Sequence, residues 1–79
     1  MTPTVFIKKG YRFFFFSREE ARMHIHVISS KGEAKFWLEP EIKLAQNYRL
    51  SKSQINIIEN LIEENYDELK NAWQKHFEC

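Results

Sequence analysis

The chain has 79 residues, enough for one modest hydrophobic core, so we predict a single domain over residues 1–79. Hydrophobic residues make up 43% of the sequence and aromatic residues 15%, which excludes wholesale disorder. The single cysteine, Cys79, excludes an internal disulfide and a cysteine-based metal cluster. The N-terminus lacks the features of a secretory signal, and the longest apolar run, residues 13–16, is too short to span a bilayer. We therefore expect a cytoplasmic protein without membrane contact.

The charges are unevenly distributed along the chain, although the net charge is only +1. Basic residues predominate over residues 1–36, and acidic residues outnumber basic ones after Trp37. The simplest interpretation is two solvated surfaces that complement each other within one domain. The sharper alternative is a basic sheet surface for an anionic partner.

The N-terminal segment predicts a β-hairpin. Residues 4–7 and 11–16 are rich in β-branched and aromatic side chains, and Gly10 between them can supply the positive φ of the turn. The second of these strands carries aromatic rings on both faces, which favours a place in the core over an exposed platform for stacking RNA bases. The polar residues 17–22 predict a connecting loop.

The next segment predicts a second hairpin with two distinct faces. Its strands cover residues 23–29 and 33–39, and a two-residue loop at Lys31-Gly32 would place Val27 opposite Phe36. A longer loop would shift these partners, but each strand would keep its alternation. The apolar face then carries Met23, Ile25, Val27, Phe36 and Leu38. The opposite face carries His24, His26, Ile28, Lys35, Trp37 and Glu39.

The C-terminal half changes from a two-residue to a helical period. Residues 41–50 form a short mixed segment, either an edge strand or a helical turn. Over residues 51–78 the apolar side chains recur at three- and four-residue steps, after a Ser51-x-x-Gln54 capping box. A single straight helix would be longer than the strands, so either it overhangs or a second helix begins near residue 65.

These elements predict an α+β fold. Two β-hairpins over residues 1–40 form an antiparallel sheet that packs against a long, or broken, amphipathic helix. An overhanging helix end would expose Trp73 and Phe77, and these side chains could then join two copies as a homodimer.

His24 and His26 are the centre of the candidate catalytic site, because the two-residue step puts both imidazoles on one strand face. They could act as general acid and base in RNA cleavage, while Lys35 stabilises the charged transition state. On the same face, Trp37 could stack a base and, with Arg12 and Glu39, form binding contacts. The alternative is that these are ordinary polar residues on the solvent-facing side of an antiparallel sheet, which is the more common situation.

A metal site would need further ligands beyond the two histidines. Glu39 could complete a set of two histidines and one carboxylate, but no fourth ligand is evident in the sequence. The sequence therefore predicts neither a metal nor a cofactor.

Several motifs together resemble a family of short bacterial and archaeal proteins called domain of unknown function 4160. They are GYRFFFFS at residues 10–17, HIHV at 24–27, AKFWLEP at 34–40, LAQNY at 44–48 and AW at 72–73. The family usually has two prolines before its His-x-His motif, where this chain has Arg22-Met23. Carried over residue by residue, the family pattern falls on Tyr11, Arg12, Phe13, His24, His26, Lys35 and Trp37.

The resemblance implies a small prokaryotic protein that is often encoded beside another short protein in a toxin–antitoxin-like pair. It implies no established reaction. Our leading hypothesis is a binding component of such a two-gene module. It would engage a protein partner encoded by the neighbouring gene, or RNA, through the His24/His26/Lys35/Trp37 face or through the end of the C-terminal helix. The alternatives are a metal-independent ribonuclease toxin and a structural homodimer.

Overall fold

A computed structural model describes residues 4–15 and 22–76 of the chain as a five-stranded antiparallel sheet and two helices. The strands pair in chain order, from β1 at one edge to β5 at the other. The elements are β1 (Thr4–Lys8), β2 (Tyr11–Phe14), β3 (His24–Ile28), β4 (Glu33–Trp37), β5 (Lys43–Tyr48), α1 (Lys52–Glu64) and α2 (Tyr66–His76). The α+β prediction is confirmed. The two predicted hairpins are parts of one continuous sheet, because β2 also pairs with β3. Most of the predicted 17–22 loop lies outside the described residues.

The β1–β2 turn has the geometry that the sequence predicts. Lys8 pairs with Tyr11, which leaves Lys9 and Gly10 as the two loop residues. Both have positive φ angles, 52° and 80° respectively. This combination is typical of a tight hairpin turn whose twist matches that of the strands, and Gly10 adopts it without steric cost.

The predicted register of the β3–β4 hairpin is wrong by two residues. Val27 pairs with Ala34, and Ile25 pairs with Phe36. The loop residues are Ser30 and Lys31, because the Ser29 amide donates to the Gly32 carbonyl at 2.9 Å. A shift of two residues leaves every side chain on its predicted face, since the side-chain period of a strand is two.

The sequence predicted Gly32 as a loop residue, but in the structure it allows a close approach between two backbone segments. A Cβ atom at this position would clash with the carbonyl oxygen of Tyr48, on the neighbouring strand β5. The mixed segment is therefore an edge strand that passes close to the β3–β4 turn. Ala45 forms a bulge in β5, since Lys35 pairs with Gln46 but Phe36 pairs with Leu44.

The C-terminal segment is two helices that meet at Asn65. The Ser51 hydroxyl and the Gln54 amide form the predicted capping box at the start of α1. At the junction, the Asn65 backbone N–H donates to the Leu61 and Ile62 carbonyls, and its own carbonyl accepts from Leu69. Its side chain accepts from Lys8 Nζ at 2.6 Å and so ties the junction to the β1–β2 hairpin.

The core lies between one face of the sheet and the two helices. Its fully buried residues include Phe13, Ile25, Val27 and Phe36 in the strands and Leu38 just after β4, and its buried helix residues are Ile58, Leu61, Ile62 and Leu69. The predicted burial of Ile25, Val27, Phe36 and Leu38 is confirmed. Neither described helix is long and apolar enough to cross a membrane.

We expect Val27→Asp to unfold the domain. Val27 is 1% exposed, so the new carboxylate would be buried without a compensating partner, at a cost of about 3 kcal/mol or more. Ile28→Asp is the matched control, because the next residue points to the other face and is 36% exposed; we expect a cost of about 1 kcal/mol or less. Thermal unfolding followed by circular dichroism measures both. Equal melting temperatures for the two variants would contradict this packing.

Candidate functional site

The sheet face directed away from the core, which we call the outer sheet face, carries most of the chain's candidate functional residues. The strand registers place side chains from four neighbouring strands on this face. They are Arg12, Phe14, His24, His26, Ile28, Glu33, Lys35, Trp37, Lys43, Gln46 and Tyr48.

A row of four cross-strand neighbours crosses the middle of this face. Phe14 pairs with His26, His26 with Lys35, and Lys35 with Gln46. The rings of Phe14 and His26 are stacked, with centroids 5.6 Å apart and an interplanar angle of 25°. The register thus brings the predicted residues His26 and Lys35 together as direct neighbours.

Cationic groups lie over the aromatic rings of this face. Lys35 Nζ is 4.6 Å from the centroid of Trp37, and the guanidinium of Arg22 is 4.2 Å from the same centroid. On β2 the guanidinium of Arg12 is 5.4 Å from the Phe14 ring. These distances are typical of cation–π contacts. The face therefore alternates flat apolar surfaces with positive charge.

The charge of this region is predominantly positive. Among the described side chains, the acidic residues of this region are Glu33 on the face itself and Glu39, which lies just after β4 beside Arg22. The basic residues are Arg12, Arg22, Lys35 and Lys43. A basic sheet surface for an anionic partner stays a prediction.

His24 differs from its predicted environment. The alternation of β3 suggested a solvent-facing imidazole, but the side chain is 0% exposed. Its Nδ1 lies 2.6 Å from the Arg22 carbonyl oxygen, and its ring lies 5.0 Å from that of Trp73. The last turns of α2 reach the end of the sheet where β3 begins, and this contact buries His24.

Trp73 has an intrachain environment that the sequence did not predict. Besides His24, it contacts Phe15 edge-on, with ring centroids 5.5 Å apart. The break at Asn65 turns α2 so that Trp73 lies against the sheet, and Phe77 lies outside the described residues. The length mismatch that motivated a homodimer through this helix end is therefore removed, and the homodimer stays a prediction without that argument.

Glu39 lies beyond the end of β4 and closes the open end of the β3–β4 hairpin. Its carboxylate accepts from the Met23 amide at 2.9 Å, and its carbonyl accepts from Arg22 Nε at 2.8 Å. These bonds position Arg22 over Trp37. Over residues 4–15 and 22–76, no three His, Cys, Asp or Glu side chains are grouped as metal ligands would be.

A shallow cavity of about 280 Å³ lies on the β4–β5 side of the outer sheet face. Its lining includes His26, Glu33, Lys35, Gln46 and Tyr48. Sequence reasoning missed Glu33, Gln46 and Tyr48 as site residues. The strand assignment of residues 43–48 was still open at that stage, and only that assignment places β5 side chains beside those of β4.

The comparisons with known proteins identify the family of the chain. A family model described as a domain of unknown function, DUF4160, matches residues 10–74. No curated protein and no solved structure matches the chain at a significant level. The match includes the whole outer sheet face and both tryptophans, so the residues that carried the sequence resemblance lie within it.

We expect His24 and His26 to differ in their contribution to stability. His24→Ala should lower the free energy of unfolding by about 2–4 kcal/mol, because it removes a buried ring and its hydrogen bond. His26→Ala should cost about 1 kcal/mol or less, because this ring is only half-buried. Urea unfolding of the two variants measures this difference, and a larger cost for His26→Ala would contradict the assignment.

Proposed function

Given that this chain belongs to the DUF4160 family, we propose that it binds single-stranded RNA through its outer sheet face. It would do so as the binding component of a toxin–antitoxin-like two-gene module, a setting that the family resemblance implies. The observation that supports RNA binding is the alternation of rings and cations on this face, in the pairs Arg12 with Phe14 and Lys35 with Trp37.

This pattern suits a single strand better than a duplex. Unpaired bases can stack on aromatic side chains, and cations beside those rings neutralise the phosphates between successive bases. The flat surface of a sheet presents several rings at strand spacing, whereas the paired bases of a duplex keep their flat faces inside the stack. Single-stranded DNA offers the same bases and phosphates, so it is the natural comparison ligand.

A non-enzymatic role fits this site better than the ribonuclease alternative. Cleavage by two histidines requires both imidazoles to reach the RNA, one as acid and one as base. His24 is fully buried and lies against Trp73 and the Arg22 carbonyl. Because His24 is buried, only His26 of the two imidazoles can reach an RNA ligand. The predicted acid–base pair is therefore incomplete.

We expect the purified protein to bind a fluorescent single-stranded RNA 12-mer, with an affinity that falls as salt rises. Arg12→Gln should weaken binding and reduce the salt slope by about 1, because one phosphate contact is lost. Lys70→Gln is the charge-matched control, since Lys70 is exposed on α2 away from the outer sheet face. Fluorescence anisotropy at several salt concentrations measures each value.

Equal effects of Arg12→Gln and Lys70→Gln would show that binding depends on net charge alone and would contradict a site on this face. Tighter binding of the matching DNA would assign the face to DNA. The RNA should remain intact after long incubation; cleavage that disappears in a His26→Ala variant would restore the ribonuclease hypothesis instead.

A further inference from the structure

We propose that the cavity between β4 and β5 recognises a guanine base, with the Glu33 carboxylate reading the base edge and Tyr48 stacking on the ring. This inference rests on the proposed RNA binding and adds a base preference to it. It gives a role to three further residues of the outer sheet face, Glu33, Gln46 and Tyr48.

The strand register builds the cavity from two adjacent cross-strand pairs. Lys35 pairs with Gln46, and Glu33 pairs with Tyr48 one two-residue step further along the same face. Side chains are about 5 Å apart across such a pair and about 7 Å apart along a strand. A volume of about 280 Å³ lies just below the usual range for drug-sized ligands. The cavity therefore suits a single base.

Glu33 is an unexpected residue on a basic face that binds phosphates. A carboxylate repels the RNA backbone, so it weakens binding unless the RNA offers hydrogen-bond donors to it. In the part of the chain that the structure describes, no hydrogen bond or ion pair engages this carboxylate, and the side chain is exposed. It is thus available to a ligand.

Guanine is the base whose edge matches a carboxylate. An ionised carboxylate is an acceptor at both oxygens, and it binds best to two parallel N–H donors. Guanine presents adjacent N1–H and N2–H donors on its Watson–Crick edge. Adenine and cytosine present one donor beside an acceptor, and uracil presents one donor between two acceptors. A carboxylate therefore discriminates in favour of guanine.

The neighbouring side chains complete the recognition. Tyr48 lines the cavity and is 61% exposed, so its ring offers a stacking surface, and the Arg49 guanidinium lies 5.4 Å from the ring centroid. Gln46 carries an amide that can donate to the guanine O6 atom, which lies beside N1–H. His26 and Lys35 also line the cavity. The Lys35 side chain is only 8% exposed, and its ammonium supplies a positive charge beside the bound nucleotide.

The test compares seven-nucleotide RNAs that differ only at the central base: UUUGUUU, UUUAUUU, UUUCUUU, seven uridines, and UUUIUUU with inosine. We expect the guanine RNA to bind about tenfold more tightly than the adenine RNA. Inosine lacks the N2 amino group, so its RNA should lose much of this preference. Fluorescence anisotropy measures the dissociation constants.

Glu33→Gln separates hydrogen bonding to the guanine base from electrostatic repulsion of the RNA phosphates. Removing the negative charge should strengthen binding of the uridine RNA, whereas the preference for guanine should disappear. Glu41→Gln is the control, because Glu41 is exposed in the β4–β5 turn, at the other end of the hairpin from the cavity, and its substitution removes the same charge without changing the cavity. It should retain the preference. Tyr48→Ala should weaken binding of the guanine RNA more than that of the uridine RNA.

Two outcomes would overturn the inference and leave the proposed function intact. One is equal binding of the guanine and adenine RNAs by the wild-type protein. The other is a guanine preference that survives Glu33→Gln. Absence of binding to every RNA would instead overturn the proposed function and, with it, this inference. Circular dichroism of each variant checks that it is folded.

Discussion

The division of β3 and β4 into two faces determines most of this structure. Ile25, Val27, Phe36 and Leu38 are buried under the helices, and the burial of such side chains is the largest favourable contribution to folding a small domain. Because the side-chain period of a strand is two, this burial also fixes which residues point the other way. The positions of His26, Lys35 and Trp37 on the outer sheet face are thus a consequence of core packing.

The helix break at Asn65 is the second determinant, and it affects the same face from the end of the sheet. It lets α2 turn so that Trp73 lies against His24 and Phe15. His24 of the His-x-His motif is thereby buried, and His26 remains partly exposed. Two residues that look equivalent in the sequence consequently have different roles, because only one lies within reach of the helix.

The outer sheet face combines three properties that bear on the proposed ligand. Its rings are flat and partly accessible, cations lie over two of those rings, and the Glu33 side chain is exposed. A purely structural surface gains little from such an arrangement, since exposed ion pairs and cation–π contacts contribute modestly to stability. A ligand with both bases and phosphates would use all three at once, and this is the physical basis of the RNA proposal.

The sequence by itself determined the fold class, the two faces of β3 and β4, the glycine turn at Gly10 and the capping box at Ser51. These features depend on local periodicity or on the conformational preference of one or two residues. The tertiary structure alone decided the β3–β4 register, the strand at residues 43–48, the break at Asn65 and the burial of His24. Each of these depends on contacts between segments far apart in the chain, such as Gly32 with Tyr48, Lys8 with Asn65, and His24 with Trp73. The sequence pattern of one segment holds no information about which distant segment will cover it.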